Sequence, residues 1–268
     1  MSSIAVQARP VAVRSLLPSA AVLARFAGPV LVVVLWQLAS ATGVLPERLL
    51  ASPLTVVRTA VDLLEDGTLT HALSVSLRRA AVGFVIGAVF GIGLALVAGL
   101  SKIGEYLVDP LLQMLRTLPF YGLIPLFILW FGIGELPKIV LVAFGVAIPL
   151  YLNTFAGIRS VDGKLAELAQ VQRLSRFELI RHIVLPGALP QTLVGLRQSL
   201  GVAWLALIVA EQVNADAGLG QMINDAREFL RTDVIVVGLL VYSVLGLLTD
   251  ALVRLIERRA LTWRRSFL

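Results

Sequence analysis

The sequence predicts an all-α membrane protein of six transmembrane helices, and three observations carry that prediction. Of 268 residues, 58% are hydrophobic and only 15% charged, against roughly 45–50% and about 25% in soluble globular domains. A soluble fold of this size still needs a polar shell, so the apolar excess points to a bilayer. The apolar residues are gathered into runs long enough to cross one, for which a helix needs about 20. Finally, 23 Lys and Arg stand against 17 Asp and Glu, and they collect beside alternate ends of those runs, as the positive-inside bias requires.

The same figures exclude several classes. A net charge of +6 would suggest nucleic acid in a soluble chain; here it marks a membrane face, and no nucleic-acid partner is expected. Cysteine is absent and His71 and His182 are the only histidines, so no disulfide, thiolate site or histidine metal cluster is expected. No nucleophile–base arrangement emerges, and neither a catalytic residue nor a cofactor is expected. The only Gly-Lys pair, Gly163-Lys164, is followed by Leu165, and residue 158 is Ile rather than Gly. That is no phosphate loop.

Residues 1–27 read as a cytosolic N-terminal segment, because Arg9, Arg14 and Arg25 precede the first span, 28–44. Its core, 30–35, is solidly aliphatic. Ala39-Ser40-Ala41 resembles a signal-peptidase site, whose cleavage would leave the later topology unchanged. The polar stretch 47–76 follows. There Ser52-Pro53 reads as an N-cap with proline in the first turn, and Val56, Val57, Ala60, Val61 and Leu64 recur at helical spacing up to Gly67. This predicts a short amphipathic helix at the outer surface.

The second span, 79–100, carries Gly83, Gly87 and Gly91 at four-residue intervals. That spacing bares one helix face for close packing, whether as the seam of a transport bundle or as any buried helix contact. The third, 111–131, contains Pro119 and Pro125, and the carbonyls they free need protein or water, so this helix should not face lipid all round. The fourth, 139–158, contains Pro149 and Asn153; the fifth, 189–209, carries Arg197; the sixth, 234–256, carries Asp250. The membrane-spanning body thus runs over 28–258, with a cytosolic tail at 259–268. Cytosolic flanks hold Lys102, Arg159, Lys164, Arg173, Arg176, Arg181, Arg254, Arg258, Arg259, Arg264 and Arg265 besides the three N-terminal arginines. Outer flanks hold half as many: Arg48, Arg58, Arg78, Arg79, Lys138, Arg227 and Arg231. N-terminus and C-terminus are therefore both expected in the cytosol.

Charged groups inside spans are functional candidates by default. Arg197 stands about 10 Å along the helix from Pro190. It could offset the charge of an anion, pair with Asp250 or a carbonyl, or snorkel to the inner surface. Arg116 lies nearer the inner end and invites the same choice. Trp204 and Glu211 follow Arg197 at seven-residue intervals, so the three share one face. That stripe suits a pore wall, although Trp204 could equally be core, and Glu211 suits an outer gate or a partner for Arg231.

The loop 159–188 is long, polar and helical in pattern through Leu165, Leu168, Ala169, Leu174, Phe177 and Ile180. Ser175 and Glu178 fit a capping box. Two short helices should meet near Arg173 and end at Pro186. Such a hairpin is a docking device, or else a basic loop held on anionic lipid heads. Within it, Glu167-Leu168-Ala169, then Arg173, then Ile183-Val184-Leu185-Pro186 resembles the cytosolic signature of ABC importer permeases: Glu-Ala-Ala, three residues, Gly, nine residues, Ile-x-Leu-Pro. Glu167, Ala169, Ile183, Leu185 and Pro186 match at the right spacing. Leu168 replaces the first alanine, and Arg173 replaces a glycine that allows a sharp turn; with arginine there the turn must use ordinary dihedrals or carry strain.

Arg116-Thr117-Leu118-Pro119-Phe120, Ala217-Gly218-Leu219-Gly220-Gln221 and Ser76-Leu77-Arg78-Arg79 with Gly83-Phe84 also resemble these permeases. Leu129-Trp130-Phe131-Gly132-Ile133 and Ala226-Arg227-Glu228-Phe229-Leu230 resemble the aliphatic sulfonate branch, with taurine and nitrate permeases as relatives. The resemblance implies a type I (MetI-like) architecture in a bacterial inner membrane. It also implies a homodimer, two copies of a separate ATPase subunit docked on the hairpin, and a periplasmic or lipoprotein solute-binding protein. An ion-coupled secondary transporter, the alternative from another class, would need intramembrane carboxylates or histidines that mid-span positions scarcely offer.

Overall fold

In hydrocarbon every unpaired backbone N–H and C=O is costly, so an apolar chain closes its hydrogen bonds within helices. The computed structural model describes residues 18–213 and 215–262, and among these every regular element is helical. The calls on Arg9, Arg14, Arg264 and Arg265 lie outside the described residues. In order the α-helices are α1 (Pro18–Ala41), α2 (Pro53–Glu65), α3 (Thr68–Leu100), α4 (Lys102–Leu115), α5 (Phe120–Phe131), α6 (Glu135–Arg159), α7 (Gly163–Val171), α8 (Arg176–Leu179), α9 (Leu185–Glu211), α10 (Leu219–Glu228) and α11 (Thr232–Ala260), with a π-turn at Ile180–Val184. Four helical stretches are long and apolar enough to cross a membrane: Thr68–Leu100, Glu135–Arg159, Arg176–Glu211 and Thr232–Ala260. Ala27–Ala41 and Tyr121–Phe131 are shorter apolar helices.

The centre is a layer of α3, α6 and α9. The glycine face of α3 meets α6 running parallel to it: a Cβ on Gly87 would stand 2.3 Å from the Ala143 carbonyl, and one on Gly91 2.5 Å from that of Ala147. Helix α9 runs antiparallel against α6, where Gly157 lies against Ala188 and Gly195 against Asn153. Ser199 Oγ donates to the Val146 carbonyl at 2.9 Å. Leu141, Val142, Val146, Leu150, Ala206 and Leu207 are buried in this layer. Because lipid tails are as apolar as leucine, such helices associate through close packing and internal hydrogen bonds rather than by escaping water.

Around that layer, α2 sets Val56, Thr59 and Leu63 inward, and Thr59 Oγ1 donates to Asp233 of α11 at 2.9 Å. Ser52 caps α2 by accepting from the Thr55 N–H, with Pro53 at the start of the helix. The turn into α3 uses Gly67 at φ 80°.

Two elements differ from the expectation. The stretch 111–131 is not one helix: α4 stops at Leu115 and α5 starts at Phe120. Pro119 bars the preceding residue from helical dihedrals and itself lies extended at φ −72°, ψ 127°, so 116–119 is irregular backbone between two half-helices. Nor does a helix end at Pro186. The π-turn precedes it, with the Leu185 N–H reaching back to the Ile180 carbonyl, and Pro186 falls in the first turn of α9, where its missing N–H is tolerated. The hairpin of α7 and α8 therefore runs into α9 without a break.

Candidate functional site

The hairpin is built from local chemistry. Asp162 starts α7, its Oδ1 accepting from the Lys164 N–H at 2.9 Å. The turn after α7 is closed by the Leu174 N–H on the Ala169 carbonyl at 2.9 Å. Arg173 sits in that turn at φ 55°, so of the two options the sequence left open, the turn takes the strained one. Ser175 then forms the complete capping box with Glu178. Ala169 is buried, while Glu167 is exposed beside a run of exposed apolar side chains, Leu165, Leu168, Val171 and Phe177. Ile183 is half-buried and Leu185 exposed. His182 directs Nδ1 to the Glu178 carbonyl at 3.1 Å. At the root of the hairpin a cavity of about 480 Å³ is lined by residues including Val161, Leu165, Gly187 and Gln191.

The stripe of Arg197, Trp204 and Glu211 does share one face of α9, and what it meets is α11. Arg197 Nε lies 3.2 Å from Asp250 and its NH2 2.6 Å from Glu257, while Arg254 pairs with the other oxygen of Asp250. Trp204 packs edge-on to Tyr242 and donates to Thr249 at 3.4 Å. Glu211 accepts from the Tyr242 hydroxyl at 3.3 Å.

The expectation that Glu211 pairs with Arg231 is corrected. Arg231 pairs with Asp233, two residues away. Glu211, 1% exposed, is held by Arg79 NH1 at 2.8 Å, by the Ser76 hydroxyl at 2.8 Å and by the Gly220 N–H at 2.8 Å. Arg79 is itself 2% exposed. Its Nε and NH2 make a two-pronged contact with Glu135, and NH1 also donates to the Ala217 carbonyl. One guanidinium thus joins α3, α6, α9 and the turn before α10. Gly218 and Gly220 let that turn approach, since a Cβ on either would fall within 2.6 Å of Glu211. Arg79 reads in the sequence as a flank cation. The available signal was its register, because residues 79, 83, 87 and 91 recur every four and place the arginine on the glycine face.

Arg116 caps the C-terminus of α4 through its backbone N–H and is exposed at the irregular segment between α4 and α5. No ion pair to it is found among the described residues. The structure thus brings Arg197, Trp204 and Glu211 onto one seam and leaves Arg116 on another element.

Residues 87–262 match the family model described as binding-protein-dependent transport system inner membrane component. The chain is 46% identical over 239 residues to the aliphatic sulfonates transport permease protein SsuC of Bacillus subtilis, covering 89% of this chain and 87% of that one. It is 48% identical to the SsuC protein of Escherichia coli, covering 89% and 91%. The taurine transport system permease protein TauC of Escherichia coli is 37% identical, over 74% of this chain and 72% of its own. A chain in the crystal structure of an amino acid ABC transporter with histidines shares the fold at TM-score 0.60 and 19% identity, covering 70% of this chain and 92% of that chain.

Proposed function

The chain belongs to the family of binding-protein-dependent transport system inner membrane components, and from that premise we propose that it passes aliphatic sulfonates. It is the non-catalytic membrane subunit of an ABC importer, a multi-pass protein of the inner membrane; a separate ATPase subunit hydrolyses ATP and a solute-binding protein delivers the solute. The observation that carries the sulfonate reading is the 46–48% identity over 89% of the chain to two aliphatic sulfonates permeases, against 37% over 74% for the taurine permease.

The finer assignments belong to the same proposal. Both termini lie in the cytosol, which puts the 159–188 hairpin there and the Arg79–Glu211 end of the bundle outside; the charge asymmetry of the flanks supports this. Two copies of the chain and two ATPase subunits make up the transporter. Glu167, Ala169, Arg173, Ile183, Leu185 and Pro186 form the docking hairpin, supported by the exposed apolar run beside Glu167, which an ATPase groove would cover. Its continuity with α9 gives ATPase closure a mechanical route into the bundle. Arg197 and Trp204 hold α11 on α9, and Glu211 chiefly ties α9 to α3. Arg116, at the break between α4 and α5, is the cation of the candidate set that no carboxylate neutralises among the described residues, and it is the one left to meet an anion in passage.

The test is uptake. The chain, reconstituted in proteoliposomes with its ATPase and binding protein, should import a labelled alkanesulfonate only with ATP, and excess nitrate should compete weakly. Import of nitrate or taurine without alkanesulfonate would move the chain to one of those branches.

A further inference from the structure

Polar side chains that a helix turns outward at membrane depth must meet water or protein, because hydrocarbon offers them no partner. At the level of the Arg197–Asp250 pair, α11 turns out Leu247, Leu248, Ala251 and Leu252, and the charged group beside them, Arg254, is tied to Asp250. That is a lipid face. Helix α9 differs. Its outward residues include Gln191 and Gln198, seven apart and therefore on one face. Further along the same face, Gly201 has open space where a Cβ would stand. Asn153 of α6 adjoins this face, its Nδ2 donating to Gln198 Oε1 at 2.9 Å and to the Pro149 carbonyl at 2.9 Å.

We infer that Gln198, set by Asn153 and followed by Gln191, is a step of the solute path that hydrogen-bonds an oxyanion in transit. This rests on the reading above that the solute is anionic. The bond from Asn153 occupies the acceptor end of the Gln198 amide and leaves Nε2 as a double donor, for which no acceptor is found among the described residues. A sulfonate presents only acceptors. The neighbouring charges do not compete: Arg197 and Arg254 are matched by Asp250 and Glu257 in one cluster.

The absence of cysteine from the chain makes the test clean. Gln198→Cys and, as lipid-face control, Leu248→Cys are prepared in the assembled transporter in inside-out vesicles and treated with the anionic reagent methanethiosulfonate ethylsulfonate. The Gln198→Cys thiol should react at least about tenfold faster than that of Leu248→Cys, and millimolar alkanesulfonate should slow it. Equal, slow labelling of both, with full labelling after denaturation, overturns the proposal. In uptake assays at equal amounts of assembled complex, Gln198→Leu should slow alkanesulfonate entry about tenfold, the worth of one hydrogen bond to a charged group. The isosteric Gln198→Glu should slow it further by repulsion, a sign dependence that a merely structural amide would not show; equal effects of the two overturn the oxyanion contact. A wild-type complex that imports no alkanesulfonate while Gln198→Cys still labels fast supports the path and overturns only the sulfonate reading.

Discussion

Arg79 and Glu211, 132 residues apart in sequence, form a buried ion pair at 2.8 Å that ties α3 to α9. Neither charge stands alone: Arg79 also grips Glu135, and Glu211 also accepts from Ser76, Gly220 and Tyr242. A buried pair gains from being charged only when its remaining donors and acceptors are met, and here they are met by four separate elements.

Removing one member should therefore be severe. Arg79→Ala leaves Glu211 buried without its counter-charge and is expected to destabilise the chain by about 3–5 kcal/mol. Glu135→Ala leaves Arg79 its Glu211 partner, and the space vacated by a side chain that is 46% exposed admits water to the two freed donors, so it should cost no more than about 1–2 kcal/mol. The check is the midpoint of thermal unfolding of the purified complex in detergent. Equal midpoints for the two variants would mean that the buried arginine is not the centre of this junction.

The glycine seam supports a sharper comparison. Gly87→Ala puts a methyl 2.3 Å from a backbone oxygen of α6, whereas Gly93→Ala meets nothing within 4 Å. Backbone cannot step aside as a flexible side chain can, so α3 and α6 must separate. Gly87→Ala should lower the yield of folded protein severalfold in size-exclusion chromatography while Gly93→Ala leaves it unchanged. Loss in both would point to helix propensity or insertion rather than to the seam.

These two cases show where the sequence speaks and where it is silent. Gly83, Gly87 and Gly91 announce a packed face because their spacing is local, and Ser175 with Glu178 announces a helix start for the same reason. The partner of Glu211 could not be read that way. Arg231 is the nearer cation in sequence, but Asp233 two residues on neutralises it, while Arg79 reaches Glu211 only through the tertiary packing that sets α3 beside α9. Likewise the seven-residue spacing of Arg197, Trp204 and Glu211 put them on one face, but spacing does not say which neighbour that face meets. Pro186 looked like a stop because the π-turn that accommodates it has no local signature.

Arg173 offers a test of backbone strain. At φ 55° a residue with a Cβ costs about 1–2 kcal/mol over glycine, part of which glycine gives back through the freedom it gains when unfolded. Arg173→Gly should leave the hairpin as stable or slightly more so, and Arg173→Val, whose branched Cβ tolerates this region worst, should destabilise it. Limited proteolysis between α7 and α8 reads the difference directly. Faster cutting of the glycine variant than of the valine variant would contradict the strained turn.

Glu167 lies exposed on α7 beside Leu168 and Val171, and its role is separable from stability for that reason. Glu167→Lys reverses a charge on a solvated face, where substitutions usually change stability by less than about 0.5 kcal/mol, so folding should be unaffected. If the hairpin docks on the ATPase, the variant should co-purify with less ATPase subunit and show weaker solute-stimulated hydrolysis. Unchanged association together with unchanged stimulation would sink the docking assignment.

Arg197 separates two roles most cleanly, because its carboxylate partners can be removed with it. As the tie between α9 and α11, Arg197→Ala strands Asp250 and Glu257, although Arg254 still faces Asp250. It should lower the unfolding midpoint of the complex. Glu257→Ala added to it should recover part of that loss, since a coupled pair shows an interaction energy of about 0.5–3 kcal/mol. A solute-contacting arginine behaves otherwise: Arg197→Ala would then depress uptake at an unchanged midpoint, and removing Glu257 would rescue nothing. With 42% of its side chain exposed against partners at 34% and 24%, the pair is only partly withdrawn from the surroundings, so the expected coupling lies toward the low end of that range.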